Sequence, residues 1–266
     1  MTQFELENLE LSRNSDNYKI IFTGTKNGKC LVLFSSNGLY FPNTYSALQK
    51  IIDDDRFEWQ SLSPNNFEKI IFLRDTYKQW YVCGINKSID SPSKVISFLE
   101  KETQGFWKRF LGSSAGGYAA VYYGSKCNAD SIVSISGQFD LSFEAKDEHR
   151  NKILFYEKNR LELDVSSTSS SVIYVYPYLS SYDIEQYNRI KNNRNIKVIP
   201  VKSSSHGVPI YSFGVRKFIS ADDSTLQKFS NKKNSKLAIS MTFIDWKDLL
   251  FKIRRKVIKY LRIKID

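Results

Sequence analysis

Apolar and polar positions along the chain alternate between two kinds of block. Short runs rich in β-branched and aromatic residues predict strands at 18–24 (YKIIFTG), 30–36 (CLVLFSS), 68–74 (EKIIFLR), 107–112 (WKRFLG), 131–137 (SIVSISG), 171–177 (SVIYVYP) and 195–201 (NIKVIPV). Segments with helical character lie between them, at 44–52, 92–103, 115–124 and 183–192. The second opens with Ser91 as N-cap and Pro92 at the first helical position, where a missing donor costs nothing. Strands that alternate with helices predict an α/β fold, a mostly parallel central sheet flanked by helices. The turn signal TKNGK between the first two strands predicts an antiparallel edge pair, 18–24 with 30–36.

Residues 138–165 are longer and more polar than a usual crossover and read either as a small lid or as a helix with its connections. The run SSTSSS at 166–171 has linker composition, but six residues leading into a strand need not separate domains. One domain is expected over residues 1–222, with a polar linker at 223–242 and a separate helix at 243–266. In that last segment Trp246, Leu249, Leu250, Ile253, Val257, Tyr260 and Leu261 recur at helical spacing, while Lys252, Arg255, Lys256, Lys259 and Arg262 lie largely opposite.

Composition changes this picture little. With 266 residues and 41% hydrophobic side chains the chain can bury a sizeable core. No apolar run approaches the roughly 18–20 residues that span a bilayer, and the first residues lack the basic and apolar regions of a signal peptide, so a cytoplasmic protein is expected. Cys30, Cys83 and Cys127 suggest neither a disulfide framework nor a zinc site, and no metal or cofactor is expected. The net charge of +11 changes more, because residues 243–266 hold eight Lys/Arg against three Asp. A cationic helix with an aromatic-edged apolar stripe fits an anionic membrane surface, and equally a terminal helix docked on the domain. No nucleic-acid motif accompanies the charge, so no nucleic-acid partner is expected.

The candidate chemistry lies at Gly112-Ser113-Ser114-Ala115-Gly116, a G-x-S-x-G match with a strand before it and a small-residue helix after it. That context selects Ser114 as nucleophile and makes Ser113 a neighbour. A serine hydroxyl needs a base, and the base needs an orienting group. Of the two histidines, His149 sits in the charged stretch AKDEHRNK and reads as solvated. His206 follows the strand 195–201 on a loop at its carboxyl end, where parallel sheets carry functional loops. The acid belongs on the loop after 171–177, where Asp183 comes first and Glu185 second. Asp183 is alternatively a cap or first-turn acid of its own helix, and Asp140, after 131–137, is a further candidate acid.

With GSSAGG, YD at 182–183 and SSHG at 204–207 in the order Ser, Asp, His, the chain resembles the serine α/β-hydrolase superfamily over residues 18–217. Within it, GSSAGGYAA and the late HG look most like small hydrolase-like proteins encoded with bacterial surface-polysaccharide biosynthesis enzymes. The resemblance implies the α/β-hydrolase fold, with Ser114 as nucleophile, His206 as general base and acid, and Asp183 as orienting carboxylate. It also implies an oxyanion hole made by the N–H of Ala115 and that of Ser36 or Asn37, in FSSNGLYF. Two departures stand out: the elbow strand WKRFL carries two charges, and no HGGG marks the oxyanion loop. The expected function is a serine hydrolase or esterase working through an acyl-enzyme, on a small-molecule or glycan ester. The alternatives are acyl transfer to a sugar hydroxyl, or an inert hydrolase-like scaffold of a membrane-associated glycan or secretion system. Aromatic residues such as Trp80, Tyr81 and Trp107 are candidates to stack on sugar rings, or core.

Overall fold

The computed structural model describes residues 13–42, 44–62, 64–141 and 164–263. Eight strands form one sheet: β1 (Tyr18–Phe22), β2 (Lys29–Phe34), β3 (Lys69–Leu73), β4 (Trp107–Ser113), β5 (Ser131–Ile135), β6 (Val172–Pro177), β7 (Ile196–Lys202) and the two-residue β8 (Asn234–Ser235). Their order across the sheet is β1-β3-β2-β4-β5-β6-β7-β8, with every neighbouring pair parallel except β1 with β3. The expected edge hairpin between β1 and β2 is therefore replaced by a crossover. β2 is buried from Cys30 to Phe34 on both faces, which suits an interior parallel strand, whereas β1 is only half-buried and takes the edge. The turn that looked like a hairpin is instead held to the start of β3: the N–H groups of Asn27 and Gly28 donate to the Glu68 carboxylate, and Thr23 Oγ1 donates to the Phe67 carbonyl.

Helices cover both faces. On one side α2 (Pro92–Thr103) and α3 (Ala115–Lys126) pack Val95, Leu99 and the small-residue face of α3 on Val32, Phe34 and Phe110. Helix α3 is buried from Ala115 to Gly124, which its run of alanines and glycines permits. On the other side α5 (Ser212–Ser220), α6 (Asp223–Gln227) and α7 (Lys236–Thr242) bring Val215, Phe218, Leu226 and Ile239 onto Leu31, Leu111 and Val133. Helices α1 (Tyr45–Asp53) and α4 (Ser181–Ile190) follow β2 and β6, and α8 (Trp246–Ile263) ends the described chain. Of the 138–165 insert, residues 142–163 lie outside the described residues.

Residues 223–242 are not a linker. They form α6, β8 and α7, with Leu226 and Ile239 fully buried and β8 hydrogen-bonded to the carboxyl end of β7. Their polar composition hides three anchors. The Asn234 amide donates to the carbonyls of Pro200, Phe229 and Lys232. Ser240 Oγ accepts from the N–H of Tyr211. Asp223 receives Arg109, one of the two charges in the elbow strand: its guanidinium, 2% exposed, donates to the Asp223 carboxylate at 2.8 Å and to the carbonyls of Ile219 and Ala221. Ser131 Oγ adds a further donor to Asp223 and accepts from Arg109 Nε.

A buried charge needs such partners, and removing one partner leaves the other uncompensated. Arg109→Met should therefore lower unfolding free energy by about 3 kcal/mol in denaturant titrations, whereas a change in the half-exposed Lys108 should do little.

Candidate active site

The turn from β4 into α3 is set by backbone contact. A Cβ on Gly112 would lie 2.0 Å from the Gly116 carbonyl oxygen, and one on Gly116 would lie 2.2 Å from the Phe34 carbonyl oxygen. Neither position can hold a side chain without moving backbone. Between them Ser114 takes φ 52° and ψ −120°, a strained conformation for a residue with a Cβ. Its N–H donates to the Ile135 carbonyl at 2.9 Å, and its own carbonyl accepts from Gly117 and Tyr118, so the turn is pinned on both sides. Ser113, by contrast, is a buried β4 residue in register with Ile135.

Ser114 Oγ lies 2.9 Å from His206 Nε2. His206 Nδ1 lies 3.1 Å from each carboxylate oxygen of Asp183, which is fully buried. Because a carboxylate only accepts, the Nδ1 proton faces Asp183, and a neutral His206 turns its Nε2 lone pair toward the Ser114 hydroxyl. Asp183 comes from the first turn of α4, but the cap of that helix is Ser180, whose Oγ accepts from the Asp183 N–H and donates to Asp183 Oδ2 at 2.5 Å. That bond, the two contacts to His206 and the nearby helix N-terminus are what make a buried carboxylate tolerable here.

The histidine is held from two further directions. Ser136 Oγ donates to the carbonyl of Gly207, which sits at φ 113°. The Tyr182 ring meets the imidazole edge-on, with centroids 4.9 Å apart. Behind it the Gln138 amide donates to Tyr182 Oη at 2.9 Å and accepts from Trp80 Nε1 at 2.9 Å. Gln138 and Trp80 are both buried, so this line of hydrogen bonds forms a fixed wall behind the His206 ring. The sequence reading missed Ser136, Gln138, Ser180 and Tyr182; only Ser180, as a serine three residues before an acid at a helix start, carries a local signal.

Other candidates lie elsewhere. Glu185 is partly exposed and pairs with Arg189, Asp140 is also bound by Arg189, and the carboxylate hydrogen-bonded to His206 is Asp183. His149 falls outside the described residues. Trp80 and Tyr81 are core rather than sugar platforms: Tyr81 is fully buried and its hydroxyl donates to the carbonyls of Ser35 and Leu73. Trp107 is partly exposed, but at the opposite, amino end of β4.

The loop after β2 meets the elbow through the Phe34 and Gly116 contact. Ala115 is the first residue of α3, so its N–H has no partner within the helix. Of the two residues expected as a second donor, Ser36 has its N–H committed to Glu58 Oε2 at 2.5 Å, while Asn37 opens the short turn Asn37–Tyr40 with its N–H uncommitted by that turn. Glu58 packs against this loop, its own N–H donating to Ser35 Oγ. Burial raises the Glu58 carboxyl above its ordinary range, and the hydrogen bonds from Ser36 only partly offset this.

No protein-family model matches the chain, and no curated protein sequence matches it. Solved structures do. A capsule O-acetyltransferase of Neisseria meningitidis serogroup A superposes with a TM-score of 0.50 at 13% identity, over 71% of this chain and 84% of that one. An s-formylglutathione hydrolase from Staphylococcus aureus gives 0.40 at 11% identity, over 69% and 83%. An alpha-beta serine hydrolase homologue from Coxiella burnetii gives 0.37 at 12%, over 69% and 80%. The chain has the α/β-hydrolase fold.

A carboxyl group whose native pKa is raised stabilises the fold below its unfolded pKa and loses that contribution as pH rises through the native value. Glu58→Gln removes this loss and can still accept from Ser36. The variant should gain stability over the parent as pH rises above about 4, read by denaturant unfolding across a pH series.

Proposed function

We propose that the protein is a serine-dependent enzyme of acyl-group chemistry that cleaves an ester through an acyl-enzyme intermediate. The observation that carries this reading is the continuous line from Ser114 Oγ to His206 Nε2, and from His206 Nδ1 to Asp183, at the carboxyl edge of a parallel sheet. In this reading Ser114 Oγ attacks the acyl carbon as His206 Nε2 takes its proton, and the carbonyl electrons move onto oxygen. The oxyanion meets the N–H groups of Ala115 and Asn37; losing one such donor typically costs about a hundredfold or more in rate. Collapse re-forms the carbonyl and expels the alcohol, which leaves with the proton from His206. Water, deprotonated by the same imidazole, then releases the acid and restores Ser114. Asp183 holds the tautomer and stabilises the imidazolium at each stage.

We infer an acylated glycan of the bacterial surface as the substrate class. The resemblance of GSSAGGYAA and the late HG to proteins of surface-polysaccharide biosynthesis supports it. A second reading, transfer of the acyl group to a sugar hydroxyl, needs only that the acceptor replace water in the last step. It is favoured by the fold shared with a protein described as a capsule O-acetyltransferase.

A fluorophosphonate probe should label the folded protein, and labelling should vanish in Ser114→Ala and fall by about a thousandfold or more in His206→Ala. No labelling of the folded parent protein would leave an inert hydrolase-like scaffold as the better reading. Comparing release of acetate from acetylated sugars with transfer to an added sugar acceptor then separates hydrolase from transferase.

A further inference from the structure

We propose that α8 docks the protein on an anionic lipid surface. Asp245, just before the helix, fixes where it leaves the domain: its N–H donates to the Phe213 carbonyl in the first turn of α5, and its carboxylate lies 3.5 Å from Arg216 Nε. Because α5 follows the His206 loop and α7 starts beside the carboxyl end of β7, α8 departs from the same edge of the sheet that carries Ser114.

Beyond that anchor the apolar face of the helix is left largely uncovered by the described residues. Trp246, Leu250, Ile253 and Val257 fall on one side at helical spacing and are 58%, 62%, 49% and 50% exposed. A helix of a globular domain ordinarily turns such a stripe onto the core. Phe251 and Ile258, which by helical register lie round toward the side of Arg255 rather than on this stripe, are 60% and 41% exposed. No helix among the described residues is long and apolar enough to cross a membrane.

Charge selects the occupant. Residues 246–263 carry seven Lys/Arg and one Asp, and by helical register Lys252 and Arg255 lie away from the apolar stripe. A second copy of this helix would bring the same charge against itself. An anionic bilayer satisfies both faces at once: the stripe enters the boundary between head groups and acyl chains, and the lysines and arginines reach the phosphates.

The test is co-sedimentation of the full chain with vesicles containing phosphatidylglycerol and with vesicles of phosphatidylcholine alone. Binding to the anionic vesicles only, weakened by salt, is expected. Arg254→Gln with Arg255→Gln should weaken it about fivefold per cation removed, and Leu250→Asp with Ile253→Asp should abolish it. Both variants alter exposed positions, so circular dichroism and the unfolding midpoint should stay unchanged. Equal binding to both vesicle types, or undiminished binding by Leu250→Asp with Ile253→Asp, would overturn the proposal. So would a dimer of the parent protein that the same pair of substitutions dissolves, since it would assign the face to a second copy.

Discussion

The contact between Gly116 and the Phe34 carbonyl is the constraint on which the rest of the site depends. With no Cβ in the way, the first turn of α3 closes onto the end of β2, and the chain between Gly112 and Gly116 has room only for a tight turn that drives Ser114 to positive φ. Two consequences follow. The Ser114 hydroxyl leaves the sheet at its carboxyl edge, where the His206 loop can meet it, and residues 35–37 are brought beside the start of α3 with its free N–H groups. The strain at Ser114 persists because hydrogen bonds to Ile135, Gly117 and Tyr118 fix the residue from both sides.

Around that turn the edge of the sheet holds several buried carboxylates, each satisfied differently. Asp183 is bonded by a hydroxyl and an imidazole. Asp75, at the end of β3, accepts the N–H groups of Tyr77, Gln79 and Tyr81, and burial still pushes its carboxyl up to about 6. Its loop carries positive φ at Lys78, Trp80 and Tyr81, and those turns aim the Trp80 indole at Gln138. The wall behind His206 thus rests on an acid at the end of β3, five strands from β7 in the sheet order, which makes the site a property of the whole carboxyl edge. At the other end Arg109 ties the C-terminal layer to β4, so the elbow strand carries charge without losing its buried register.

Much of this was legible in the sequence. The alternation of apolar runs and helical segments gave the mostly parallel sheet, because interior strands buried on both faces must be continuously apolar. Ser114 was legible because the glycine spacing is a steric requirement. The proximity of His206 and Asp183 followed from where each loop leaves its strand. Strand pairing was not legible at β1, since TKNGK encodes a turn but not which strand the chain joins next. Nor was the packed state of 223–242, whose few anchors, Leu226, Asn234 and Ile239, are diluted among lysines and serines. Glu58 and Gln138 carry no motif; each acts through long-range hydrogen bonds that only the folded chain creates.

The central claim, that Ser114 takes up an acyl group, is tested most directly by mass spectrometry of the protein quenched during turnover of an activated acetyl ester. One acetyl group on the peptide containing Ser114, appearing before steady state and absent in Ser114→Ala, is the predicted result. Ester consumption with no acyl group on Ser114, or with the group on another residue, would contradict it.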